Sequence, residues 1–199
     1  MLYGPLAGIG LGLLLGGRVE HLARYRYRWV PLALAGLLVQ VAIFSTPLGD
    51  AVEGIAPAAY VASTAAVLIV VLHNVGLPRL GVPGLAVVAL GSASNLVAVV
   101  ANGGYMPADP GALAAVGATL GSGYSNSVVV AHAALRPLTD VYALPAWLPL
   151  ANVFSVGDAL ICLGIVLAVA LGMRGGPQAA DPMRPEPAGD SDPADRGAI

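Results

Sequence analysis

Asp158 is an acidic residue inside a long apolar stretch of this 199-residue sequence. A charged aspartate near the centre of a membrane helix costs about 2.5–3.5 kcal/mol, so such a residue marks a candidate functional position. In the segment Asn152-Val-Phe-Ser-Val-Gly-Asp158, the residues Asn152, Ser155 and Asp158 are three apart and would follow one side of a helix. Asn95 and Asn102, in an earlier apolar stretch, are two helical turns apart and share a face.

The helical rise places Asn95 and Asp158 in the same layer. With Asn102 and Asn152 at the outer boundary and about 1.5 Å per residue, both side chains lie roughly 10 Å inward. We therefore expect a polar ligand-binding pocket made by Asn95, Asn102, Asn152, Ser155 and Asp158. Burial favours a protonated Asp158, which would donate to Asn95.

Further lining residues for this pocket come from two segments. They are Ser92 and Ser94 on the Asn95 helix, and Tyr124 and Asn126 after it. Three interpretations remain open: a clamp between two helices, a ligand or ion site, and a catalytic site.

Several chemistries are not indicated. His21, His73 and His132 are scattered, and a single cysteine, Cys162, forms no C-x-x-C pair, so we expect no metal site. A net charge of −2 argues against nucleic acid binding. We expect no cofactor and no nucleophile–base catalytic pair, because no G-x-S-x-G or phosphate-loop motif is present.

The elements that must position these residues are apolar helices. The chain is 57% hydrophobic and 10% charged, against roughly 25% charged in a soluble domain. Stretches of 16 or more apolar residues predict an all-α integral membrane protein with five transmembrane helices. The expected spans are residues 2–17, 29–45, 57–75, 84–101 and 150–173.

The long segment between the fourth and fifth spans, residues 102–149, is predicted to form an interfacial helical cap. Asp109-Pro110 resembles a helix N-cap with proline at the first helical position, which predicts a short helix to about Leu120. A second short helix is expected from Ser127 to Leu135. Residues 174–199 are rich in proline and acids, and we expect them to be a disordered tail.

Arginine placement predicts the orientation. Segments 18–28, 76–83 and 174–199 contain eight of the nine arginines, whereas 46–56 and 102–149 contain only Arg136. The N-terminus and the cap are therefore expected outside a bacterial plasma membrane, and the C-terminus in the cytoplasm. Membrane lipids are expected partners, because arginines interleaved with tyrosines suit an anionic headgroup layer.

A glycine stripe marks the first helix. Gly4, Gly8, Gly12 and Gly16 recur every fourth residue and would let another helix approach closely. We expect packing within the chain, with self-association as the alternative.

Two sequence blocks carry a resemblance to a known family. They are Asn102-Gly-Gly-Tyr-Met-Pro107, and Tyr124-Ser-Asn-Ser127 followed by Pro149-Leu-Ala-Asn-Val-Phe-Ser-Val-Gly-Asp158. Together with the five-span layout they resemble an uncharacterised bacterial membrane family, domain of unknown function 5317, over roughly residues 1–172. This resemblance implies no particular activity.

A second, local similarity is to lipoprotein signal peptidase, a membrane aspartic protease. Phe154-Ser-Val-Gly-Asp158 resembles its Phe-Asn-x-Ala-Asp segment, and Gly91-Ser-Ala-Ser-Asn95-Leu-Val-Ala98 resembles its Gly-x-x-Gly-Asn-x-x-Asp-Arg block. Ala98 stands where that block has its Asp, so a dyad with Asp158 would need Asp109 or Asp140 from the cap. Aspartic chemistry requires two carboxylates that share a proton.

The sequence thus favours binding or scaffolding through an outward-facing pocket over catalysis. The alternatives are a membrane aspartic hydrolase and a small oligomeric transporter or channel. The transporter or channel is disfavoured, because the inner half of the last helix, Ile161 to Leu171, is apolar apart from Cys162.

Overall fold

The protein is mostly helical in a computed structural model, which describes residues 3–45, 51–52, 54–76, 82, 84–117, 127–130 and 132–175. The α-helices in these ranges are α1 (Tyr3–Leu14), α2 (Val30–Ser45), α3 (Ala56–Val75), α4 (Leu85–Ala101), α5 (Pro110–Ala115) and α6 (Val156–Gly172). Short 3-10 helices span Val19–Arg24 and Arg136–Leu138.

The five long helices pack side by side as a row. Its order in space is α2, α3, α4, α6 and α1, because the main helix contacts are α2 with α3, α3 with α4, α4 with α6 and α6 with α1. Helix α6, the last one in the described residues, therefore lies between α1 and α4. This arrangement brings Asn95 on α4 and Asp158 on α6 to a common interface.

Glycines set the close approach of α4 to α6. A Cβ on Gly91 would lie 2.5 Å from the carbonyl oxygen of Gly157, and one on Gly164 would lie 2.7 Å from the Val88 nitrogen. Gly84 adopts a left-handed φ of 93°, and a Cβ there would strike the Gly164 carbonyl. The two backbones meet without intervening side chains, as small residues allow in membrane helix pairs.

The glycine stripe of α1 is used within the chain. Gly4, Gly8 and Gly12 are buried, and Cβ atoms on them would meet Cys162, Val169 and Met173 respectively. Gly16 does not share this contact, because α1 ends at Leu14 and Gly16 turns the chain with φ 74°. The predicted span to residue 17 is therefore three residues too long as a helix. Self-association through the stripe stays a prediction.

One described helix, α3, is long and apolar enough to cross a membrane. The other four long helices are also apolar but have 12 to 17 residues each. Large apolar side chains are exposed along the row, including Leu6, Leu14 and Leu38.

The cap between α4 and α6 is mixed rather than helical. Strand β1 (Met106–Pro107) pairs in parallel with β2 (Ser127–Val128), and β3 (Tyr142–Ala143) pairs antiparallel with β4 (Val153–Phe154). The predicted helix from Ser127 to Leu135 is wrong, because its β-branched start is extended and hydrogen-bonds to β1.

Two further helix ends differ from prediction. Helix α5 begins at Pro110 under an Asp109 cap, as the sequence predicts, but ends at Ala115 rather than near Leu120. Helix α6 begins at Val156, six residues later than expected, because Leu150 has φ 58° and β4 occupies the residues before the cap. The tail beyond residue 175 lies outside the described residues.

Candidate functional site

Asn95, Ser155 and Asp158 form a closed hydrogen-bonded group at the α4–α6 interface. The Asn95 amide donates from Nδ2 to Asp158 Oδ1 over 2.8 Å, and the Ser155 hydroxyl donates to Asn95 Oδ1 over 2.8 Å. Ser155 is fully buried, whereas Asn95 and Asp158 are half-buried. Asp158 thus accepts from Asn95, contrary to the expectation that it would donate.

A capping box at the start of α6 fixes this group. Ser155 Oγ accepts from the Asp158 backbone N–H, and Asp158 Oδ2 accepts from the Ser155 backbone N–H, each over 3.0 Å. These bonds satisfy two N–H groups that a helix start otherwise leaves free. Asp158 therefore holds its position through its own helix and receives a third hydrogen bond from α4.

A second carboxylate, Asp140, comes from the cap. Its backbone N–H donates to the Pro107 carbonyl, and its carbonyl accepts from the Asp109 N–H, which places it beside β1. The 3-10 helix just before it, Arg136–Leu138, packs on both α4 and α6. This segment therefore carries Asp140 down onto the interface that contains Asp158.

The environment of Asp140 differs sharply from that of Asp158. Asp140 is 7% exposed, and its Oδ1 is buried without a hydrogen-bond partner. Burial, and secondarily the charge of Asp158, raise the pKa of Asp140 to about 7. Asp158 therefore lies close enough for the two carboxylates to repel each other when both are ionised.

The other cap carboxylate, Asp109, is engaged elsewhere. Its Oδ1 accepts from the backbone N–H groups of Gly111 and Ala112, and its Oδ2 lies 2.9 Å from Arg136 Nη2. The Arg136 hydrogen bond and the backbone bonds hold the pKa of Asp109 below its usual range. Of the two cap aspartates named from the sequence, Asp140 is the one whose pKa is raised by the charge of Asp158.

Asn102 and Asn152 lie outside the hydrogen-bonded group. Asn102 caps α4 and fixes the cap, because its amide exchanges two hydrogen bonds with the Ala134 backbone. Asn152 is exposed, precedes α6 rather than belonging to it, and accepts from the Val153 N–H.

The remaining candidates are two serines on α4 and two residues of the cap. Ser92 is buried, and Ser94 Oγ is buried without a partner. Tyr124 and Asn126 lie outside the described residues.

The histidines lie apart from this site. His73 stacks on Trp29 at 4.1 Å, His21 Nδ1 lies 2.8 Å from the Met173 carbonyl oxygen, and His132 is exposed in the cap. Within the described ranges, no three metal-ligating side chains cluster.

Fold and site together define a mostly helical protein with one candidate membrane span and an aspartate-containing polar site beneath a mixed cap. The chain belongs to a family of unknown function, DUF5317, whose model matches residues 24–170. The family resemblance predicted from its sequence blocks is thereby confirmed. Comparison with curated proteins and with solved structures gives no match.

Proposed function

We propose that the chain is a multi-pass plasma-membrane protein with five spans, an external N-terminus and cap, and a cytoplasmic C-terminus. The apolar surface of the helix row and the length of α3 support this proposal. The concentration of arginine at one end of the row supports the orientation. Both the cap and the start of α6 then lie at the outer boundary.

Within that topology, we infer that Asp140 and Asp158 are the acid and base of a membrane-embedded aspartic hydrolase. The observation that carries the inference is a buried carboxylate, with its Oδ1 lacking a hydrogen-bond partner, within electrostatic range of a second carboxylate. The Asp158 carboxylate accepts two N–H hydrogen bonds, one at each oxygen, from the Asn95 amide and the Ser155 backbone, and we assign it the role of the base. Asp140 Oδ1 lacks a donor, and the pKa raised by burial to about 7 suits the protonated partner.

The two environments assign the proton transfers. Ionised Asp158 removes a proton from water, and the water oxygen attacks the carbonyl carbon while protonated Asp140 gives its proton to the carbonyl oxygen. The resulting gem-diol collapses: Asp158 passes its new proton to the leaving nitrogen or oxygen, and one hydroxyl returns a proton to Asp140. The bond to the leaving group breaks, and both carboxyl groups regain their starting states.

A second candidate function is ligand binding or scaffolding without turnover. It is favoured by the hydrogen bonds that Asn95, Ser155 and Asp158 make to one another. A clamp between α4 and α6 requires such mutual bonds. Such interhelical bonds contribute about 0.6 kcal/mol each. A transporter is less well supported. The inner part of α6 contains only apolar side chains and Cys162, so it would not line a polar path for a substrate.

Solvent-oxygen incorporation separates the two candidates. Proteoliposomes containing the wild type, Asp140→Asn or Asp158→Asn would be incubated with a bacterial membrane extract in ¹⁸O-water, and products analysed by mass spectrometry. A hydrolase places one solvent oxygen in each new carboxyl group, and both variants should abolish the labelled products. Glu20→Gln, an exposed carboxylate at the other end of the row, is the matched control and should label like the wild type.

Equal labelling in the wild type and both aspartate variants would contradict the hydrolase. Retention of a small molecule by the wild type but not by Asp158→Asn, measured by native mass spectrometry without labelled products, would support binding instead.

A further inference from the structure

The segment from Arg18 to Arg28, here called the arginine strap, is held at both of its ends. The Arg18 N–H donates to the Met173 carbonyl at the end of α6 over 2.8 Å. At the other end, Asn74 of α3 accepts from the Arg28 N–H and donates to the Arg28 carbonyl. Asn74 is 3% exposed, so this second attachment is buried. The strap therefore crosses the end of the row with a fixed path.

The strap leaves its 3-10 helix in an extended conformation. Tyr25 begins this part with an extended backbone (φ −78°, ψ 120°), in which neighbouring residues point to opposite sides. Tyr25 faces α6, because its Cε2 lies 3.4 Å from the position of a Cβ on Gly172. Tyr27 is 43% exposed, and its partial burial raises the pKa of its phenol. Arg24, Arg26 and Arg28 are exposed.

Three arginines of the strap have no acidic partner among the described residues. Arg18 is paired with Glu20 at 3.4 Å, but within the described part of the chain Arg24, Arg26 and Arg28 have no carboxylate within ion-pair distance. Four arginines and one glutamate give the strap a formal charge of +3 with His21 neutral. The described residues thus leave a row of exposed guanidinium groups on a fixed backbone without an anionic partner.

Apolar side chains border the strap on both sides. Leu14 and Val19 are exposed where α1 leads into it, and Trp29 and Val30 are exposed where it leads into α2. Trp29 is held by stacking on His73 with an interplanar angle of 4°. The surface thus combines cationic groups with adjoining apolar area, which fits an amphiphile rather than a free anion.

We propose that the arginine strap binds anionic phospholipids, with Arg24, Arg26 and Arg28 contacting the headgroup phosphates and the flanking apolar residues contacting the acyl chains. Guanidinium groups bind phosphate oxygens in a bidentate manner. This surface lies at the opposite end of the row from Asp158 and is independent of the proposed hydrolysis.

Native mass spectrometry with added lipid tests the proposal. Delipidated full-length protein in mild detergent would be titrated with dioleoyl-phosphatidylglycerol and, separately, dioleoyl-phosphatidylcholine. One arginine near an anionic surface corresponds to about a fivefold change in binding, so replacing Arg24, Arg26 and Arg28 together by Gln should weaken phosphatidylglycerol binding roughly a hundredfold. Phosphatidylcholine binding should not change.

The matched control is Arg136→Gln, which removes one arginine from the cap and should retain the phosphatidylglycerol preference. If the triple variant does not fold, the wild type alone still tests the proposal: raising the salt from about 0.05 M to 0.5 M should reduce phosphatidylglycerol binding and spare phosphatidylcholine binding. Equal affinity for the two lipids, or unchanged phosphatidylglycerol binding in the triple variant, would overturn it. Displacement of the lipid by excess inorganic phosphate would show a free-anion site instead.

Discussion

Asn95 and Asp158 are 63 positions apart in the chain and are joined by a 2.8 Å hydrogen bond from the amide to the carboxylate. The bond connects the middle of α4 to the first turn of α6, which are otherwise in contact mainly through glycine backbones. This bond and the hydrogen bond from Ser155 to Asn95 therefore orient the carboxylate at an interface where glycine backbones lie close to the opposite helix. The candidate site depends on these bonds and on the cap above it.

Replacing Asn95 by Ala should destabilise the protein. The fully buried Ser155 hydroxyl would lose its acceptor and Asp158 would lose a donor, and an unsatisfied buried polar group costs about 1–3 kcal/mol. Thermal unfolding in detergent measures the change. Asn152→Ala, at an exposed asparagine outside the network, should change stability by less than about 0.5 kcal/mol, and an equal loss in both variants would contradict the role given to Asn95.

Asp140 should make stability fall as the pH rises. Its pKa is raised from 3.8 to about 7 in the folded protein, so the folded state binds more protons than the unfolded state between these values. The stabilisation is complete below about pH 4 and is lost as the pH passes 7, with a difference of up to about 4 kcal/mol. Asp140→Asn should flatten the dependence of unfolding temperature on pH and be more stable than the wild type at pH 8.

Asp158→Asn offers a second test of the same pair. Removing the Asp158 charge leaves burial as the cause of the raised pKa of Asp140, so this pKa should be lower in the variant than in the wild type. The fall in stability should therefore extend to higher pH in the wild type. Carbon-13 NMR of labelled aspartate would follow the titration directly. Superimposable Asp140 titrations in the two proteins would show that the carboxylates do not interact.

Gly157→Ala should disrupt the site itself. The added Cβ would collide with the Asn95 amide oxygen and lie 2.8 Å from the Gly91 carbonyl, so the helices must separate. We expect a loss of about 1–3 kcal/mol, as for overpacking elsewhere, and loss of any activity that needs Asp158. Gly10→Ala on α1 is the control, since a Cβ there meets nothing within 4 Å and should be neutral or stabilising.

The proposed topology predicts opposite labelling at the two ends of the row. In a Cys162→Ser background, a membrane-impermeant maleimide should label His132→Cys in intact cells and should label Glu20→Cys only after permeabilisation. Both native side chains are exposed, so access depends on the side of the membrane. Labelling of both positions in intact cells would contradict the orientation.

Local patterns in the sequence were sufficient to predict the contact between α4 and α6. The pairing of Asn95 with Asp158 was predicted even though the rise was counted from Asn152, which lies before α6, and Asp109 is recognised as a cap from the proline that follows it. The same reasoning underlies the glycine stripe, because small residues at one helical face indicate close packing wherever the partner lies. Each of these predictions needs only the geometry of a single helix.

Pairings across the chain were not predictable in this way. Asp140 reaches the site through backbone bonds to Pro107 and Asp109, more than 30 residues earlier, and no local signal specifies that pairing. The strand at Ser127 has the same origin, since its partner β1 lies 21 positions away. Asn152 was misplaced because its three-residue spacing from Ser155 looks helical, although the capping box starts the helix after it.

The order of the helix row determines which local unfolding events disturb the candidate site. Helix α2 is a terminal member whose main helix contact is α3, and α3 separates it from the α4–α6 pair. Fraying of α2 would expose α3 and leave the carboxylates undisturbed, whereas loosening of α1 would free one side of α6 directly. The two ends of the row thus differ. Helix α2 is separated from the site by α3, whereas α1 packs directly on α6, the helix that carries Asp158.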